Sequence, residues 1–250
     1  MKKLILYLVF SGLLVACKST SIFQSKEEAI LAYKNAVKDA SKPIPTKIYK
    51  NLRVISSDNP EITKKNIGND TYVLMVAWKV AADTIYYHNK ENGFYNTGSR
   101  DLWLTTTQDF KSFVSRKRNF RKNESKHLRF QQLLGLPPDK EQIVPRVFIE
   151  FWVRPQDMFR PCPDAEITDK QCECTEIANQ SKQEHQIWID AYRKKSYENE
   201  NPYYTFPWTQ LGYTYDWNPR NKKHIGLSEF VVNKNANIII HKIYSTETYR

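Results

Sequence analysis

The sequence predicts an α+β fold, in which an antiparallel sheet packs against a few helices within a single domain. Residues 72–80 and 147–153 are short, almost wholly apolar runs rich in β-branched and aromatic side chains, which is typical of strands buried on both faces. Residues 26–40 instead carry apolar side chains at helical spacing. Short strands that follow one another with turn residues between them favour antiparallel pairing.

The amino-terminal half begins with a helix. Ser25 and Glu28 form an S-x-x-E capping box, which marks the start of a helix. The helix must end before Pro43, because a residue that precedes proline disfavours the α conformation, and we place it at 26–40. The predicted strands that follow are 47–56, 72–80, 85–88 and 102–106, with a turn at Asn92-Gly93.

The middle of the chain mixes helices with one strong strand. A short helix is predicted at 109–114, and a second one at 124–134 ends at Gly135, with two prolines beyond it. A strand at 147–153 follows. The longest helical pattern covers 175–197 and has a very polar outer face, which is typical of a surface helix.

The last part of the chain is dense in aromatic residues. Tyr213, Tyr215 and Trp217 alternate, so they share one face of a strand. Such a stripe is either a platform for sugar rings or part of the core. Residues 227–232 and 237–244 predict a closing β-hairpin.

Residues 1–16 have the pattern of a secretory signal. Lys2 and Lys3 precede an apolar run over residues 4–15 that ends in small residues. The run is about a dozen residues long, whereas a bilayer-spanning helix needs roughly 20. Removing 1–16 from the 250 residues leaves 234, which suits one domain with a substantial core.

The run ends in Leu14-Val15-Ala16-Cys17, which resembles the lipobox of bacterial lipoproteins. The resemblance implies cleavage just before Cys17, a diacylglyceryl group on its thiol and an acyl chain such as palmitate on the new amine. Lys18 stands where an aspartate often signals retention in the inner membrane, so the resemblance favours the outer membrane. The mature chain is then a lipidated tether, 17–25, and a single domain, 26–250. An ordinary signal peptide with a chance cysteine is the alternative.

The chain is basic, with a formal charge of +11 that falls to near +9 once Lys2 and Lys3 leave with the signal. Basic soluble proteins often bind nucleic acid, but an envelope location points instead to anionic headgroups or acidic envelope polymer, and we expect no nucleic acid. The alternative is a solvated surface that has no dedicated partner, because net charge reports on solubility and non-specific binding. The most basic stretch predicts an anion-binding strip, or else a solvated face whose interleaved phenylalanines pack inward. The strip consists of Arg116, Lys117, Arg118, Arg121 and Lys122.

Three cysteines remain in an oxidising compartment. We expect one disulfide from Cys162 to either Cys172 or Cys174, since a direct Cys172–Cys174 bridge would be strained. The three cysteines with His185 are an alternative zinc ligand set, although the spacing lacks the C-x2–4-C pairs of structural zinc sites. The sequence predicts no metal and no cofactor.

Residues 154–169 form a loop stiffened by prolines at the end of a core strand. Its two arginines could grip a carboxylate or a phosphate, and three of its acids could hold calcium, although their spacing is not that of an EF-hand. The alternative is an internal network of ion pairs that orders the loop. The candidate binding residues are Arg154, Asp157, Arg160, Asp164, Glu166 and Asp169.

The chain contains no G-x-S-x-G, P-loop or H-E-x-x-H motif. Glycoside cleavage needs two acids about 5–10 Å apart, and the sequence does not select a pair. The candidate acids are Glu150, Asp157, Asp216 and Glu229.

We therefore expect a non-enzymatic envelope lipoprotein that binds or supports a partner. The alternative is a lipid-tethered hydrolase of envelope polymer, which requires residues 154–169 and 213–217 to line one pocket. A lesser alternative is an anion-binding module centred on residues 111–129.

Overall fold

The computed structural model describes residues 23, 25–87, 93–122, 124–174 and 183–250. Over these residues the chain is an α+β domain, an open antiparallel sheet with helices packed against it. The predicted signal, Cys17, the predicted turn residue Asn92 and the first part of the predicted 175–197 helix lie outside the described residues. None of the helices in the described ranges is long and apolar enough to cross a bilayer.

The described part has four α-helices and ten strands. The helices are α1 (Lys26–Ala40), α2 (Thr107–Ser115), α3 (Lys126–Leu133) and α4 (Gln183–Tyr197). The strands are β1 (Lys64–Ile67), β2 (Asp70–Val80), β3 (Phe94–Asn96), β4 (Leu102–Thr106), β5 (Arg146–Val153), β6 (Met158–Phe159), β7 (Tyr213–Tyr215), β8 (Ile225–Ser228), β9 (Phe230–Val232) and β10 (Asn237–Ser245).

Eight of the strands form one sheet, in the order β3-β10-β5-β2-β4-β9-β6, with β1 paired to the outer part of β2. All of its pairings are antiparallel. The strands β7 and β8 form a separate two-stranded sheet. The two strongest apolar runs of the sequence, β2 and β5, lie side by side at the centre, where both faces are covered.

The register places a row of polar side chains across one face of the sheet. Val76 lies opposite Glu150 on β5 and opposite Thr105 on β4. Leu104 lies opposite Phe230 on β9, so Thr105 and Glu229 are the next pair along and share the other face. The same face carries an aromatic core, whereas the opposite face carries the largest aliphatic cluster.

The predicted boundaries of α1 are confirmed. The Ser25 hydroxyl accepts the Glu28 N–H at 3.2 Å, as the capping box requires. The short helix predicted at 109–114 is α2, and the helix predicted before Gly135 is α3. Gly135 adopts φ +62°, the left-handed conformation that ends a helix and that glycine tolerates best.

Two predicted strands are wrong. Residues 47–56 form no strand, because Leu52 and Ile55 donate only isolated backbone hydrogen bonds to the 167–170 segment. Residues 85 and 86 belong instead to a 3-10 helix, Ala81–Tyr86, in which the Thr84 hydroxyl donates to the carbonyl of Ala81. His88 lies outside the described residues.

The predicted closing hairpin is also wrong. The strand β9 pairs with β4 and β6, whereas β10 pairs with β5 and β3. The link at 233–236 bonds to the residues after β3, with Asn235 donating to Gly98 and Thr97 donating to Ala236. These non-local bonds replace the ladder that a hairpin would form.

Candidate functional site

A cavity of about 380 Å³ lies on the face of the sheet that carries Glu150 and Thr105, under α4 and the segment 206–208. Its volume falls within the range of ordinary ligand pockets. Glu229, Thr105 and Val76 line its floor, and Ser196 contributes from α4. We call it the Glu229 cavity.

Three aromatic rings form one wall of the Glu229 cavity. The Trp103 ring centroid lies 4.9 Å from that of Tyr192 and 6.4 Å from that of Trp208. The Trp103 Nε1 donates a hydrogen bond of 2.6 Å to the Tyr192 hydroxyl. Rings this close leave no room for a cation between them, so they are not a cage for an ammonium group. The rings are tilted or edge-on to one another, and Trp188 stacks on Tyr192, so the wall offers a ligand ring an apolar contact made of ring edges and partial faces.

Glu229 is the distinctive group of the cavity. It sits between β8 and β9, where its N–H donates to the carbonyl of Gly212 at 3.0 Å. Gly212 must be glycine there, because it has φ +75° and a Cβ would lie 2.7 Å from the Cδ of Arg160. This contact sets the start of β9, which aims the Glu229 side chain into the cavity.

The Glu229 carboxyl makes no hydrogen bond with any residue that the structure describes. Glu229 is partly exposed, and desolvation by the surrounding protein raises the pKa of its carboxyl to about 8. Glu229 is therefore mostly protonated at neutral pH. A neutral carboxyl offers a ligand one hydrogen-bond donor and one acceptor.

Three more polar atoms of the lining have no partner. The Oγ1 of Thr105, the Oγ of Ser196 and the Nε of Arg146 are buried, and none makes a hydrogen bond within the described residues. Ser196 faces inward because it lies seven residues after Ile189 on the buried stripe of α4. Buried polar groups in native proteins are almost always bonded. These atoms therefore mark a place that water or a ligand occupies.

Charged residues flank the cavity at two places. Burial lowers the pKa of Lys79 and of Arg146, and the Lys79 ammonium lies 3.8 Å from Asp83. On the aromatic side, burial raises the pKa of Tyr192, and the negative charge of Asp101 raises it further. Tyr192 therefore keeps its proton at neutral pH.

The predicted binding loop, residues 154–169, does not line the Glu229 cavity. Arg154 binds Asp157 at 2.6 Å and Asp70 at 3.2 Å. Arg160 is completely buried and donates to the backbone carbonyls of Glu166 and Asp169. Both arginines thus bind groups of the protein itself, as the internal-network alternative expects.

The acids of the loop also serve local contacts. The Asp164 carboxylate accepts the N–H of Glu166, and Asp169 faces Arg160 at 3.5 Å. No three His, Cys, Asp or Glu side chains in the described ranges converge so that they could hold a metal ion. No residue of 154–169 lines either of the cavities that residues 213–217 line. The arrangement that the sequence-based hydrolase hypothesis required is not present there.

The predicted disulfide is confirmed, and it joins Cys162 to Cys172. Cys174 is a free, half-buried thiol. His185 lies beside the bridge, with its Nε2 2.7 Å from the carbonyl oxygen of Cys162. Because two of the three cysteines are oxidised, the alternative zinc set of three cysteines and His185 does not form.

The five residues of the predicted basic strip, 116–118 and 121–122, are all exposed. The interleaved phenylalanines pack inward, with Phe110 and Phe130 buried and Phe113 and Phe120 against them. The strip is therefore a cationic surface that rests on an aromatic core.

The aromatic stripe is buried. The Tyr213 hydroxyl donates to the carbonyl of Lys47, and the Trp217 Nε1 donates to that of Leu136. All three rings of the stripe belong to core clusters, although parts of them line a second, more open groove of about 910 Å³. Only Tyr215 also lines the Glu229 cavity.

Of the four candidate acids, three are paired. Asp157 binds Arg154, and Asp216 forms a bidentate pair with Arg129 at 2.7 and 2.9 Å. Glu150 accepts hydrogen bonds from two tyrosines and forms an ion pair with Lys111. Glu229 is the acid of this set that has no such partner.

Sequence reasoning missed the residues that surround Glu229. Trp103, Tyr192 and Trp208 come from three separate parts of the chain, and no spacing rule connects them. One signal was present, since Glu229 is an acid inside the apolar run 227–232. An ionisable residue in a strand that is otherwise buried indicates either a pairing or a site.

Comparisons with protein-family models, with curated proteins and with solved structures found no match to this chain.

Proposed function

We propose that this chain is a lipid-anchored protein of the bacterial outer membrane whose domain is a binding module, not an enzyme. The lipobox-like Leu14-Val15-Ala16-Cys17 supports the anchor. The Glu229 cavity supports binding, and the observation that carries the proposal is its set of unpartnered polar atoms beside an aromatic wall.

The ligand that fits this chemistry is an uncharged ring bearing hydroxyl groups, such as a sugar residue. A ring can stack on the wall formed by Trp103, Tyr192 and Trp208. Its hydroxyls can both donate and accept, so they match the neutral Glu229 carboxyl and the hydroxyl of Ser196. A carboxylate ligand next to Glu229 is disfavoured, because the desolvation that keeps the Glu229 carboxyl neutral also disfavours a second carboxylate there.

The anchor is tested by intact mass and by metabolic labelling with palmitate. We expect the mature protein to begin at Cys17 and to carry acyl chains, and we expect Cys17→Ala to abolish the label. A mature chain of unmodified mass would contradict the anchor while leaving the cavity proposal standing.

Binding is tested by titration calorimetry of the purified mature protein with glucose, N-acetylglucosamine and their β-linked dimers. Thr105→Val keeps the shape of the side chain but removes the hydroxyl that a ligand would use. We expect it to weaken binding roughly tenfold, which is the usual effect of one lost hydrogen bond. Thr71→Val, on the exposed part of β2, is the matched control and should bind like the wild type.

Absence of binding by every sugar, or equal affinity of the two threonine variants, would contradict the proposed ligand site.

A second candidate function is hydrolysis of an envelope glycan. The raised pKa of Glu229 favours it, since a general acid must be protonated near neutral pH. Two further acids line the cavity, Asp83 beside Lys79 and Asp101 on the side of Tyr192. Analysis of the sugars that remain after the same titration distinguishes the two functions. A hydrolase releases shortened sugars and loses this activity in Glu229→Gln, whereas a binding module releases none.

A further inference from the structure

We propose that a cationic face beside the tether docks on the anionic headgroups of the membrane that holds the anchor. This face, which we call the basic face, consists of the exposed lysines and arginines of 116–126 and 222–223. The proposal rests on the proposed function in one respect, the lipid at Cys17. It does not involve the Glu229 cavity.

The tether joins the domain at Phe23, next to Trp217. The Phe23 ring lies 5.8 Å from the Trp217 ring and packs in the cluster that includes Leu128. Five residues lie between Cys17 and Phe23, and the six residue-to-residue steps reach at most about 20 Å. The surface around Trp217 is therefore held within that distance of the acyl chains.

The second step is that the basic segments surround Trp217. The Trp217 N–H donates to the carbonyl of Gln132 at the end of α3. Arg220, three residues further on, donates to the Asn119 carbonyl at 3.4 Å and to Glu124 at 2.9 Å. These bonds tie residues 119–124 to the 217–220 segment, so both basic segments lie next to the tether.

The third step is the sign of the exposed charge. Glu124 is the acid of the basic segment 116–126, and its side chain is only 5% exposed and is paired with Arg220. Asp216 is buried against Arg129.

Asp39, which lines the groove beside Lys222 and Lys223, is paired with Lys47. The exposed charge of the basic face is therefore positive in excess, which is complementary to anionic lipid. Free polymer would meet this face equally well, but the short tether keeps the membrane permanently within its reach.

Native lysines provide the test. The lipidated mature protein is placed in vesicles of phosphatidylcholine alone, or with about one third phosphatidylglycerol, which gives a negative surface. Each lysine is acetylated with an amine-reactive ester, and its rate is read by mass spectrometry. We expect Lys122, Lys126, Lys222 and Lys223 to react several-fold more slowly on the anionic vesicles, and we expect molar salt to abolish the difference.

Lys234 is the internal control, because it lies on the link between β9 and β10, outside the basic face. Its rate should be the same on both vesicles. In a Lys222→Glu, Lys223→Glu variant, the protection of Lys122 should decrease, whereas Lys234→Glu should leave it unchanged.

Equal rates for the basic-face lysines on both vesicles, or equal slowing of Lys234, would overturn the docking proposal. Failure of the anchor gives a different result, namely protein without an acylated mass that does not remain with neutral vesicles. Loss of sugar binding would not affect these rates, so the three claims fail separately.

Discussion

Glu150 and Glu229 lie on the same face of the sheet, in the row that Val76 and Thr105 share. Glu150 is 1% exposed, and its oxygens accept the Tyr249 hydroxyl at 2.9 Å and the Lys111 ammonium at 2.9 Å. Glu229 is partly exposed, and its carboxyl has no partner in the described part of the chain. The two acids therefore differ in whether other side chains bind the carboxyl.

The difference shows what separates a structural acid from a site. The contacts of Glu150 tie Tyr249, the residue before Arg250, to the central strand β5, so these contacts stabilise the fold. Glu229 and its neighbours Thr105 and Ser196 leave hydrogen-bonding capacity unused beside an open space. Because an unused buried polar group costs stability, an arrangement that keeps several together is typical of function.

The largest change in the free energy of unfolding is expected from Glu150→Ala. The variant leaves the Lys111 ammonium and two tyrosine hydroxyls without their acceptor, and breaking a buried ion pair costs about 3–5 kcal/mol. We expect the lower part of that range, because the Lys111 side chain is 38% exposed and water replaces part of the lost interaction.

Urea unfolding measures this loss as a lower midpoint at unchanged slope. Glu61→Ala removes an exposed acid that pairs with Arg53, and as the control it should change the free energy of unfolding by less than about 1 kcal/mol. An equal effect of the two variants would remove the distinction.

Glu229→Gln should have the opposite sign. The pKa of Glu229 is raised from 4.5 to about 8 on folding, so the folded protein binds the proton more tightly than the unfolded chain. Stability therefore decreases as pH rises from 4.5 to 8, and glutamine removes that dependence. At pH 7 the gain is at most roughly 3 kcal/mol, since each pKa unit corresponds to about 1.4 kcal/mol.

The measurement is the difference in unfolding free energy between Glu229→Gln and wild type from pH 4.5 to 8. It should be near zero at the acid end and grow with pH. Glu200→Gln, an exposed control, should show no such trend. A destabilised Glu229→Gln at pH 7 would indicate that the carboxylate is charged and paired.

Tyr249→Phe should produce a smaller loss. It removes the hydroxyl that donates to the Glu150 carboxylate, and a hydrogen bond to a charged group contributes roughly 1.5–3 kcal/mol. Thermal or urea unfolding measures it, with the exposed Tyr204→Phe as a control of the same chemistry. If the two variants lose the same free energy of unfolding, the hydrogen bond from Tyr249 to Glu150 does not contribute to stability.

The smallest effect is expected from Ser196→Ala. Its hydroxyl has no partner in the described residues, so removal should stabilise the protein by about 0.5–1 kcal/mol, helped by the higher helix propensity of alanine. Ser112→Ala, on the exposed side of α2, should stay within about 0.5 kcal/mol of wild type. Destabilisation by Ser196→Ala would mean that a bound water already satisfies the hydroxyl.

The elements with local signals could be predicted from the sequence. The capping box at Ser25 and the proline at position 43 gave both ends of α1, and the apolar runs gave β2 and β5. The pairing of β9 and β10 could not be predicted, because nearness in sequence favours a hairpin while the bonds to Thr97 and Gly98 favour separate neighbours.

The candidate site was predictable only as a set of four acids. No sequence pattern distinguished Glu229 from Asp216 or Glu150. What separates them is their partners, Arg129 for Asp216 and Tyr249 for Glu150, which come from distant segments. A missing partner is a property of the folded arrangement, so no local pattern reports it.

A high-resolution crystal structure of the mature protein soaked with N-acetylglucosamine or its β-linked dimer tests the central claim most directly. We predict a sugar ring against the Trp103 wall, with hydroxyls at hydrogen-bonding distance from the Glu229 carboxyl and the Ser196 hydroxyl. A cavity that holds only ordered waters, each bonded to these same groups and undisturbed by any sugar, would contradict it.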